Sequence, residues 1–304
     1  MHEQLNRLLA LAGTIILGKE RQIRLAVCCL LARGHLLIED IPGVGKTTLA
    51  HTLAHLLGLN YQRIQFTSDL LPADVIGSSI FDGQSHSFRF QPGPIFHQMV
   101  LADEINRSTP KAQSALLEAM EERQVTVEGE TRALPAPFFV IATQNPLTQI
   151  GTFPLPESQL DRFLMRIELG YPDRRSERAL LKGEERQILL ERTPPCLDTE
   201  MLKSMQDDSR TVHASDALLD YIQALIQHTR ESGTYQLGLS PRAGMAVLNA
   251  SRAWAYMDRR KAILPEDVQA VLSSVAGHRL KLAMSGATDS RAIVAPLLAE
   301  VAVP

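Results

Sequence analysis

The stretch LLIEDIPGVGKTTLAHTLAHLLG, residues 36–58, constrains the fold more than any other part of the chain. An apolar run, Leu36–Ile38, is followed by two acids, by a loop with glycines at 43 and 45, and by an amphipathic segment. A glycine-rich loop that turns into a helix presents N–H groups and a helix N-terminus to an anion. We therefore expect a strand, a tight loop and a helix that together bind a phosphate group.

The loop matches the motif G-x-x-x-x-G-K-[ST] except at its first position, where Asp40 replaces glycine. In this motif the lysine reaches the β- and γ-phosphates and the hydroxyl holds Mg²⁺, which predicts these roles for Lys46 and Thr47. Nucleotide binding by itself leaves motors, kinases, switches and transporter ATPases open. The residues predicted to bind the nucleotide are Asp40, Pro42, Gly43, Val44, Gly45, Lys46, Thr47 and Thr48.

Two acids, Asp103 and Glu104, directly follow the apolar segment Met99–Ala102. A carboxylate at the end of a strand can hold Mg²⁺, and a neighbouring one can polarise a water for attack on the γ-phosphate. We assign the first role to Asp103 and the second to Glu104. A strand that ends in Asp-Glu is common and usually just meets solvent, so the assignment depends on the phosphate-binding loop upstream.

Three further polar residues are candidates for contact with the γ-phosphate. Asn145 follows the apolar segment 138–143, although an Asn-Pro turn explains it equally well from local sequence. Arg162 directly precedes the apolar segment 163–169 and is either a surface charge or an arginine that serves its own site or that of a neighbour in a ring. Arg242 starts a predicted helix, where it could touch phosphate or lie on a solvated face.

The chain alternates strand-length apolar segments with helical ones as far as about residue 171. This alternation predicts an α/β fold with a doubly wound, mostly parallel sheet and helices on both faces. From 174 to 300 only helical periodicity remains, so we place a boundary near Tyr171, with an α/β nucleotide-binding core over 1–171 and a helical domain over 172–304. The predicted strands are 35–39, 61–66, 99–103, 138–143 and 163–169.

Two short hairpins, residues 78–90 and 123–134, interrupt the predicted core. The first contains an Asp-Gly pair and places Phe88 and Phe90 on one face, and the second alternates around Glu128-Gly129. Neither is needed to complete the sheet. Inserted hairpins of this kind often have a functional role, although ordinary edge strands are an alternative.

Composition restricts the partners and the compartment. The chain of 304 residues is 45% hydrophobic, has a net charge of −3 and contains three cysteines without metal or disulfide spacing. Such a balance gives no support to a role on DNA or on a membrane surface, and the apolar runs are too short to span a bilayer. The N-terminus lacks the features of a signal peptide. We therefore expect a cytoplasmic protein with no nucleic-acid partner and no stable membrane insertion.

The five motifs, in this order, resemble those of AAA+ ATPases: Walker A, Walker B, sensor 1, arginine finger and sensor 2. Their detail is similar to the MoxR family, and the resemblance extends from the turn at 16–18 to the helix start at 265–268. An aspartate in place of the first glycine of the loop is frequent in that family. The similar stretches are DEINR (103–107), SALLEAMEER (114–123), ATQNP (142–146) and FPLPESQLDRF (153–163).

The resemblance implies a Mg²⁺-dependent ATPase that assembles as a homo-oligomeric ring, usually a hexamer, with ATP between neighbouring subunits. Such a ring acts as a chaperone-like motor that matures or activates other proteins, frequently proteins with a von Willebrand factor A domain. The resemblance also implies that the second domain is a lid, that the two hairpins are the family's helix-2 insert and pre-sensor-1 hairpin, and that Ile16 and Gly18 lie near adenine.

Two other functions are compatible with the same motifs. The first is a DNA-acting motor of the related helicase clade, against which the acidic balance and the lack of a basic stripe in either hairpin count. The second is a nucleotide-gated adaptor or chelatase-type subunit, whose cycle acts as a switch rather than as mechanical work. ATPase turnover with and without DNA or partner proteins separates these functions.

Two patterns are not interpreted as metal sites. His51 and His55 have the i, i+4 spacing that can hold zinc, but no third ligand is evident, so a structural or surface pair is favoured. Asp207, Ser209 and Thr211 are near the D-x-S-x-S pattern of a von Willebrand factor A metal site, but no apolar strand precedes them. Any such domain is therefore expected in a partner.

Overall fold

The computed structural model describes residues 1–84, 86–145, 152–183, 186–284 and 289–303. Its strands are β1 (Leu36–Glu39), β2 (Tyr61–Gln65), β3 (Gly77–Asp82), β4 (Ser87–Pro92), β5 (Met99–Asp103), β6 (Gln124–Val127), β7 (Glu130–Ala133), β8 (Phe139–Gln144) and β9 (Met165–Ile167). Its helices are α1 (His2–Ile15), α2 (Glu20–Leu31), α3 (Lys46–Leu56), α4 (Pro72–Ile76), α5 (Pro110–Glu122), α6 (Glu157–Leu160), α7 (Arg174–Lys182), α8 (Arg186–Glu191), α9 (Thr199–Arg210), α10 (Asp216–Glu231), α11 (Pro241–Met257), α12 (Pro265–Ala276) and α13 (Ser290–Glu300).

The five apolar segments predicted as strands form one parallel sheet with the order β2-β5-β8-β1-β9. The first strand, β1, lies between β8 and β9, so strands are added to the sheet on both sides of β1. This order confirms the doubly wound fold. Leu36 lies opposite both Ile141 and Met165, so the strands are aligned end to end. We call the edge formed by Glu39, Asp103 and Gln144 the carboxyl edge, and the opposite edge, where β1 and β9 begin, the amino edge.

Apolar side chains leave the central strands β1, β5 and β8 on both faces, because successive residues point to opposite sides. Leu36 and Ile38 belong to a buried cluster packed by α1, α2 and α3, whereas Leu37 belongs to a second cluster packed by α4 and α5. Both faces of the sheet are therefore covered, which explains why these three central strands are nearly continuous apolar runs rather than alternating ones.

The strand predicted over 163–169 is shorter in the structure, where β9 covers Met165–Ile167. Before it, the carbonyl of Phe163 accepts hydrogen bonds from His278 and Arg279. After it, the N–H of Leu169 donates to the side chain of Asp40, 2.6 Å away. Side chains from distant parts of the sequence thus take the backbone groups that would have extended the strand.

Both predicted hairpins are present. The strands β3 and β4 pair from Gly77 to Pro92, with Ser85 outside the described residues, and β6 and β7 pair around Glu128 and Gly129. These last two residues both have positive φ, +54° and +83°, as a two-residue hairpin turn requires. The hairpins touch each other, since the Arg132 guanidinium lies 4.1 Å from the ring centre of Phe90.

All regular elements after β9 in the described residues are helices, as the periodicity predicts. Helix α11 packs against α12 and also against α9 and α2, so the helical part lies directly on the core. The buried Cys28 and Cys29 of α2 belong to this shared core. The position of the boundary near Tyr171 stays a prediction. Among the described residues, no helix combines the length and the apolar character needed to cross a membrane.

Candidate nucleotide-binding site

The loop between β1 and α3 adopts a conformation that its glycines make accessible. Gly43 and Gly45 have φ values of +83° and +95°, in the left-handed region that side chains other than glycine rarely enter. No atom lies within 4 Å of the Cβ position at either residue, so the loop has open space beside it. Lys46 then begins α3, whose N-terminus adds the favourable end of a helix dipole for an anion.

The Lys46 ammonium lies inside this loop. It donates to the carbonyl oxygens of Asp40 and Ile41 and to Oδ1 of Asn145, the last two at 3.1 Å. Burial lowers the pKa of Lys46, while the carboxylates of Asp40, Asp103 and Glu104 raise it. The site therefore holds a partly desolvated cation beside acidic groups, where it interacts strongly with an incoming anion.

Asp103 ends β5 as a buried carboxylate, 6% exposed. Its Oδ1 accepts a hydrogen bond of 2.5 Å from the Thr143 hydroxyl, and its Oδ2 accepts one of 2.6 Å from Arg63. The Thr143 oxygen also accepts from the N–H of Glu104 at 2.9 Å. One hydroxyl of β8 thus fixes both acids at the carboxyl edge.

Glu104 has left-handed backbone geometry, with φ +56°, which is unfavourable for a residue other than glycine and is enriched at functional sites. Its Oε1 accepts a hydrogen bond from Nδ2 of Asn145 at 3.1 Å. Its Oε2 accepts from Gln65 and Arg107 at 3.0 and 3.1 Å. Because the same Asn145 amide also contacts Lys46, it joins the cation of the loop to the second acid.

These side chains surround one open cavity of about 330 Å³ at the carboxyl edge. The structure thereby brings together most of the predicted nucleotide, metal and catalytic residues, although they come from separate stretches of sequence. The lining residues are Pro42, Gly43, Gly45, Lys46, Thr47, Thr48, Asp103, Glu104 and Asn145.

Two of the predicted loop residues have side chains outside this lining. Asp40 accepts hydrogen bonds from the N–H groups of Ile41, Leu169 and Gly170 at 2.8, 2.6 and 2.6 Å, so its carboxylate ties the loop to the end of β9. This explains why an acid can replace the first glycine of the motif. Val44 packs against the buried apolar cluster.

The predicted adenine residues, Ile16 and Gly18, are likewise outside the cavity lining. Ile16 is 7% exposed, and Gly18, with φ +69°, lies against Asp173 and Ser176. Next to them, Lys19 donates to the carbonyl of Tyr171 at 2.8 Å. They border the segment that Asp40 ties to the loop, and their contact with adenine stays a prediction.

Comparison with known proteins identifies the family. The model of the family described as "ATPase family associated with various cellular activities (AAA)" matches residues 35–165, and that of the AAA lid domain matches 227–297. The protein YeaC of Bacillus subtilis is 42% identical over all of this chain and 96% of its own length. Chaperone MoxR1 of Mycobacterium tuberculosis is 37% identical over 95% of this chain and 80% of its own length.

The chain belongs to the MoxR family of AAA+ ATPases. A crystal structure of a candidate ATPase from Cytophaga hutchinsonii has a TM-score of 0.89 to it and 34% identity, covering all of this chain and 96% of that one. The MoxR-family fold, with its AAA core and lid, is thereby confirmed.

The two remaining candidates of the MoxR pattern, Arg162 and Arg242, are not at the cavity. Arg162 precedes β9, so it lies at the amino edge, whereas Lys46 follows the carboxyl end of the neighbouring β1. Because neighbouring parallel strands point the same way, a residue that precedes one strand and a residue that follows its neighbour lie at opposite edges of the sheet. This placement does not favour a role of Arg162 in its own site, which the sequence left open.

Arg162 and Arg242 lie next to each other, on either side of Glu121 near the end of α5. An Nη2 atom of Arg162 lies 3.1 Å from Oε2 of Glu121, and Arg242 donates to Oε1 of the same carboxylate. One of these arginines comes from the core and the other from the lid. The structure thus presents two predicted phosphate-contacting arginines as a single group away from their own phosphate-binding loop.

The two patterns set aside as metal sites have structural partners. His55 contacts the carbonyl of Thr193 at 2.6 Å, and the ring of His51 lies 5.2 Å from that of Tyr61. Asp207 and Ser209 belong to helix α9, where Asp207 pairs with Arg33 and Ser209 donates to the carbonyl of Leu31. These contacts explain the presence of these residues without any need for a bound metal ion.

Sequence reasoning missed Thr143 and Glu121. The position of Thr143, two residues before Asn145 on a strand, offered a weak signal, because alternate residues share one face. Glu121 has no local signal at all, since its two partners are 41 and 121 residues away along the chain. Only the packing of the lid on the core reveals its contacts with both arginines.

Proposed function

We propose that this MoxR-family protein hydrolyses ATP with Mg²⁺ and uses the hydrolysis cycle to remodel, mature or activate partner proteins. The observation that carries the proposal is the convergence of Lys46, Asp103, Glu104 and Asn145 on one cavity beside a phosphate-binding loop. The chemistry of each group fits one requirement of phosphoryl transfer to water.

Lys46 would bind the β- and γ-phosphates, exchanging its present contacts with loop carbonyls for charge-assisted ones. Thr47 and Asp103 offer a hydroxyl and a carboxylate, the hard oxygen ligands that suit Mg²⁺. Bound Mg²⁺ would neutralise charge that develops on the phosphates. Glu104 would accept a proton from the attacking water, and Asn145 would keep that carboxylate oriented towards Lys46.

We further propose that the protein works as a homo-oligomeric ring, with the hexamer expected for the family. The side chains of Arg162 and Arg242 are 28% and 49% exposed at the amino edge, so both are partly accessible to a neighbouring subunit. An arginine supplied in trans stabilises the charge of the transition state and contributes about 10³–10⁵-fold to rate in well-studied phosphoryl-transfer enzymes. In this arrangement each active site contains residues from two subunits.

The proposed clients are proteins, with von Willebrand factor A domain proteins as the first candidates. The name of the relative Chaperone MoxR1 supports protein clients in general, and the von Willebrand factor A candidates come from the family resemblance alone. The β3–β4 hairpin, which exposes Phe81 and Phe88 to 57% and 74%, also supports protein clients. Exposed aromatic side chains on a hairpin suit contact with apolar protein surface. Three free cysteines fit work in the reducing cytoplasm.

The test combines turnover with client capture. We expect Mg²⁺-dependent ATP hydrolysis that EDTA abolishes, and a Glu104→Gln variant that binds ATP and turns it over about 10²–10⁴-fold more slowly. With ATP, this variant should retain client proteins, whereas a Lys46→Ala control should not. Stimulation by DNA and not by any captured protein would favour the DNA motor, and absence of Mg²⁺-dependent turnover would contradict the proposal.

A further inference from the structure

Glu121 is one carboxylate shared by two arginines from different parts of the molecule. Its Oε2 lies 3.1 Å from Arg162, in the segment that leads into β9, and its Oε1 accepts a hydrogen bond from Arg242 at the start of α11. The side chain of Glu121 is 32% exposed, so the group faces outward at the amino edge. Core and lid are therefore joined through a single acidic residue.

Asp161, the acid next to Arg162 in the sequence, does not bridge the two arginines. Asp161 accepts a hydrogen bond of 2.6 Å from Nε of Arg279, a residue just after α12 whose side chain is only 7% exposed. Within the described part of the chain, Glu121 is the carboxylate that forms ion pairs with both Arg162 and Arg242.

The backbone around Arg162 is fixed independently of Glu121. Nη2 of Arg279 also donates to the carbonyls of Asp161 and Phe163, at 3.1 and 2.8 Å. The chain on both sides of Arg162 is thus held by one buried guanidinium of the lid. Loss of Glu121 would leave this backbone in place and would free only the arginine side chains.

The carboxylate of Glu121 allows the two arginine side chains to lie close together. Two guanidinium groups repel each other, and a carboxylate between them offsets that repulsion. The hydrogen bond from Arg242 lowers the pKa of Glu121, so the bridge stays ionised at neutral pH. The three side chains together keep a net charge of +1, which attracts the phosphates of an approaching nucleotide.

We propose that Glu121 is a positioning residue that holds Arg162 and Arg242 as a prearranged pair for the nucleotide of a neighbouring subunit. The inference rests on the proposed function, in which these arginines act in trans. Prearrangement raises the rate because the entropy of ordering two long side chains is lost before ATP arrives rather than during the reaction. Because Arg242 belongs to the lid, the lid of one subunit would then contribute to the reaction of its neighbour.

The first test is Glu121→Gln, with Glu122→Gln as a matched control one residue further along the same helix. Glu122 is exposed and has no ion pair or side-chain hydrogen bond among the described residues. The substitution Glu121→Gln keeps the size of the side chain and removes the charge that bridges both arginines. We expect turnover to fall about 10²-fold, as for a small misplacement of a catalytic group, with unchanged ATP affinity.

The second test asks in which subunit Glu121 acts. A Glu121→Gln subunit keeps its own Glu104, and a Glu104→Gln subunit keeps its own arginine pair, so mixed assemblies of the two contain complete sites and should recover activity. A mixture of Arg162→Ala with Glu104→Gln tests the trans role of the arginine by itself. Mixed assembly is confirmed by mass before rates are compared.

The outcomes separate the two ideas. Recovery in both mixtures supports the positioning role. Recovery with Arg162→Ala but not with Glu121→Gln keeps the trans mechanism and overturns the role of Glu121, because a defect confined to its own subunit is then structural. Recovery in neither overturns the trans mechanism and this inference with it. A wild-type rate for Glu121→Gln overturns the inference alone.

Discussion

The two edges of the parallel sheet hold the two groups of residues that the proposed reaction requires. The carboxyl edge holds the groups proposed to bind phosphate and activate water, around Lys46 and Glu104, while the amino edge holds the arginines at 162 and 242. The four residues of β1 separate the edges by about 13 Å. A single subunit therefore contains both halves of the proposed site but does not bring them together.

The two edges are also held in different ways. The acids of the carboxyl edge are fixed within the core, because the Thr143 hydroxyl contacts both Asp103 and Glu104. The amino edge depends on the lid, which contributes Arg242 and the buried Arg279. A movement of the lid would therefore alter the arginine pair directly and the phosphate-binding cavity only indirectly.

The most damaging single substitution is expected at the carboxyl edge. Lys46→Ala removes the main cation of the loop, so we expect loss of tight ATP binding, measured by nucleotide titration of the variant. A Lys182→Ala variant on a solvated helix serves as the control for loss of a lysine charge. ATP affinity near that of the intact protein would remove Lys46 from the site.

The matching change at the amino edge should separate rate from binding. Arg162→Ala is expected to bind ATP normally and to lose about 10³–10⁵-fold in turnover, because the arginine stabilises charge only in the transition state. Steady-state kinetics together with nucleotide titration checks this difference. Loss of ATP affinity equal to the loss of rate would place Arg162 in ground-state binding and weaken the contrast between the edges.

A smaller loss of activity is expected when Thr143, whose hydroxyl contacts both acids of the carboxyl edge, is replaced. Thr143→Val keeps the shape of the side chain but removes the hydroxyl that donates to Asp103 and accepts from the N–H of Glu104. We expect a cost of about 1–3 kcal/mol in the free energy of unfolding and a fall in turnover, since buried polar groups lose a partner. Chemical denaturation and ATPase assays measure both, with Thr143→Ser, which keeps the hydroxyl, as the control.

The change with the least effect near neutral pH concerns a histidine at the amino edge. His35 directly precedes β1, where its Nδ1 accepts from the N–H of Val140 and its Nε2 contacts the carbonyl of Met120, next to Glu121. Burial lowers the pKa of His35 to about 4 from its ordinary value of 6.5. Between these values the unfolded chain binds a proton that the folded protein does not, so stability falls as pH drops from 6.5 to 4.

The size of this effect follows from the shift, which corresponds to about 3 kcal/mol of folding free energy by pH 4. A His35→Gln variant should lose this part of the pH dependence when unfolding is followed by denaturant at several pH values. His278, whose pKa burial also lowers, leaves a residual slope of the same sign. Identical slopes in the variant and the intact protein would contradict the assignment to His35.

Much of the carboxyl edge could be predicted from sequence because its groups follow apolar strands directly. A buried parallel strand is a short apolar run, and the polar residue after it must lie at the carboxyl edge, which locates Asp103, Glu104 and Asn145 from the sequence alone. The loop is equally accessible, since Gly43 and Gly45 are required by backbone geometry. Local sequence carries this information because local geometry creates the site.

The amino edge could not be predicted in the same way. Its arrangement depends on contacts between residues far apart in sequence, such as Arg279 with Asp161 and Arg242 with Glu121. The resemblance to a family suggests roles for Arg162 and Arg242 but not their common partner. Asp40 is a second example, because its hydrogen bonds to Leu169 and Gly170 become visible only when β9 lies beside β1.

Whether neighbouring subunits complete each other's sites is decided by mixing Arg162→Ala with Glu104→Gln. Each variant is expected to be inactive alone, because every site in its assembly lacks one required group. In mixed assemblies some interfaces join an intact Glu104 to an intact Arg162, so the ATPase rate should rise to a maximum at intermediate mixing ratios. A flat baseline at every ratio, with mixed assemblies confirmed by mass, would show that the sites are not shared between subunits.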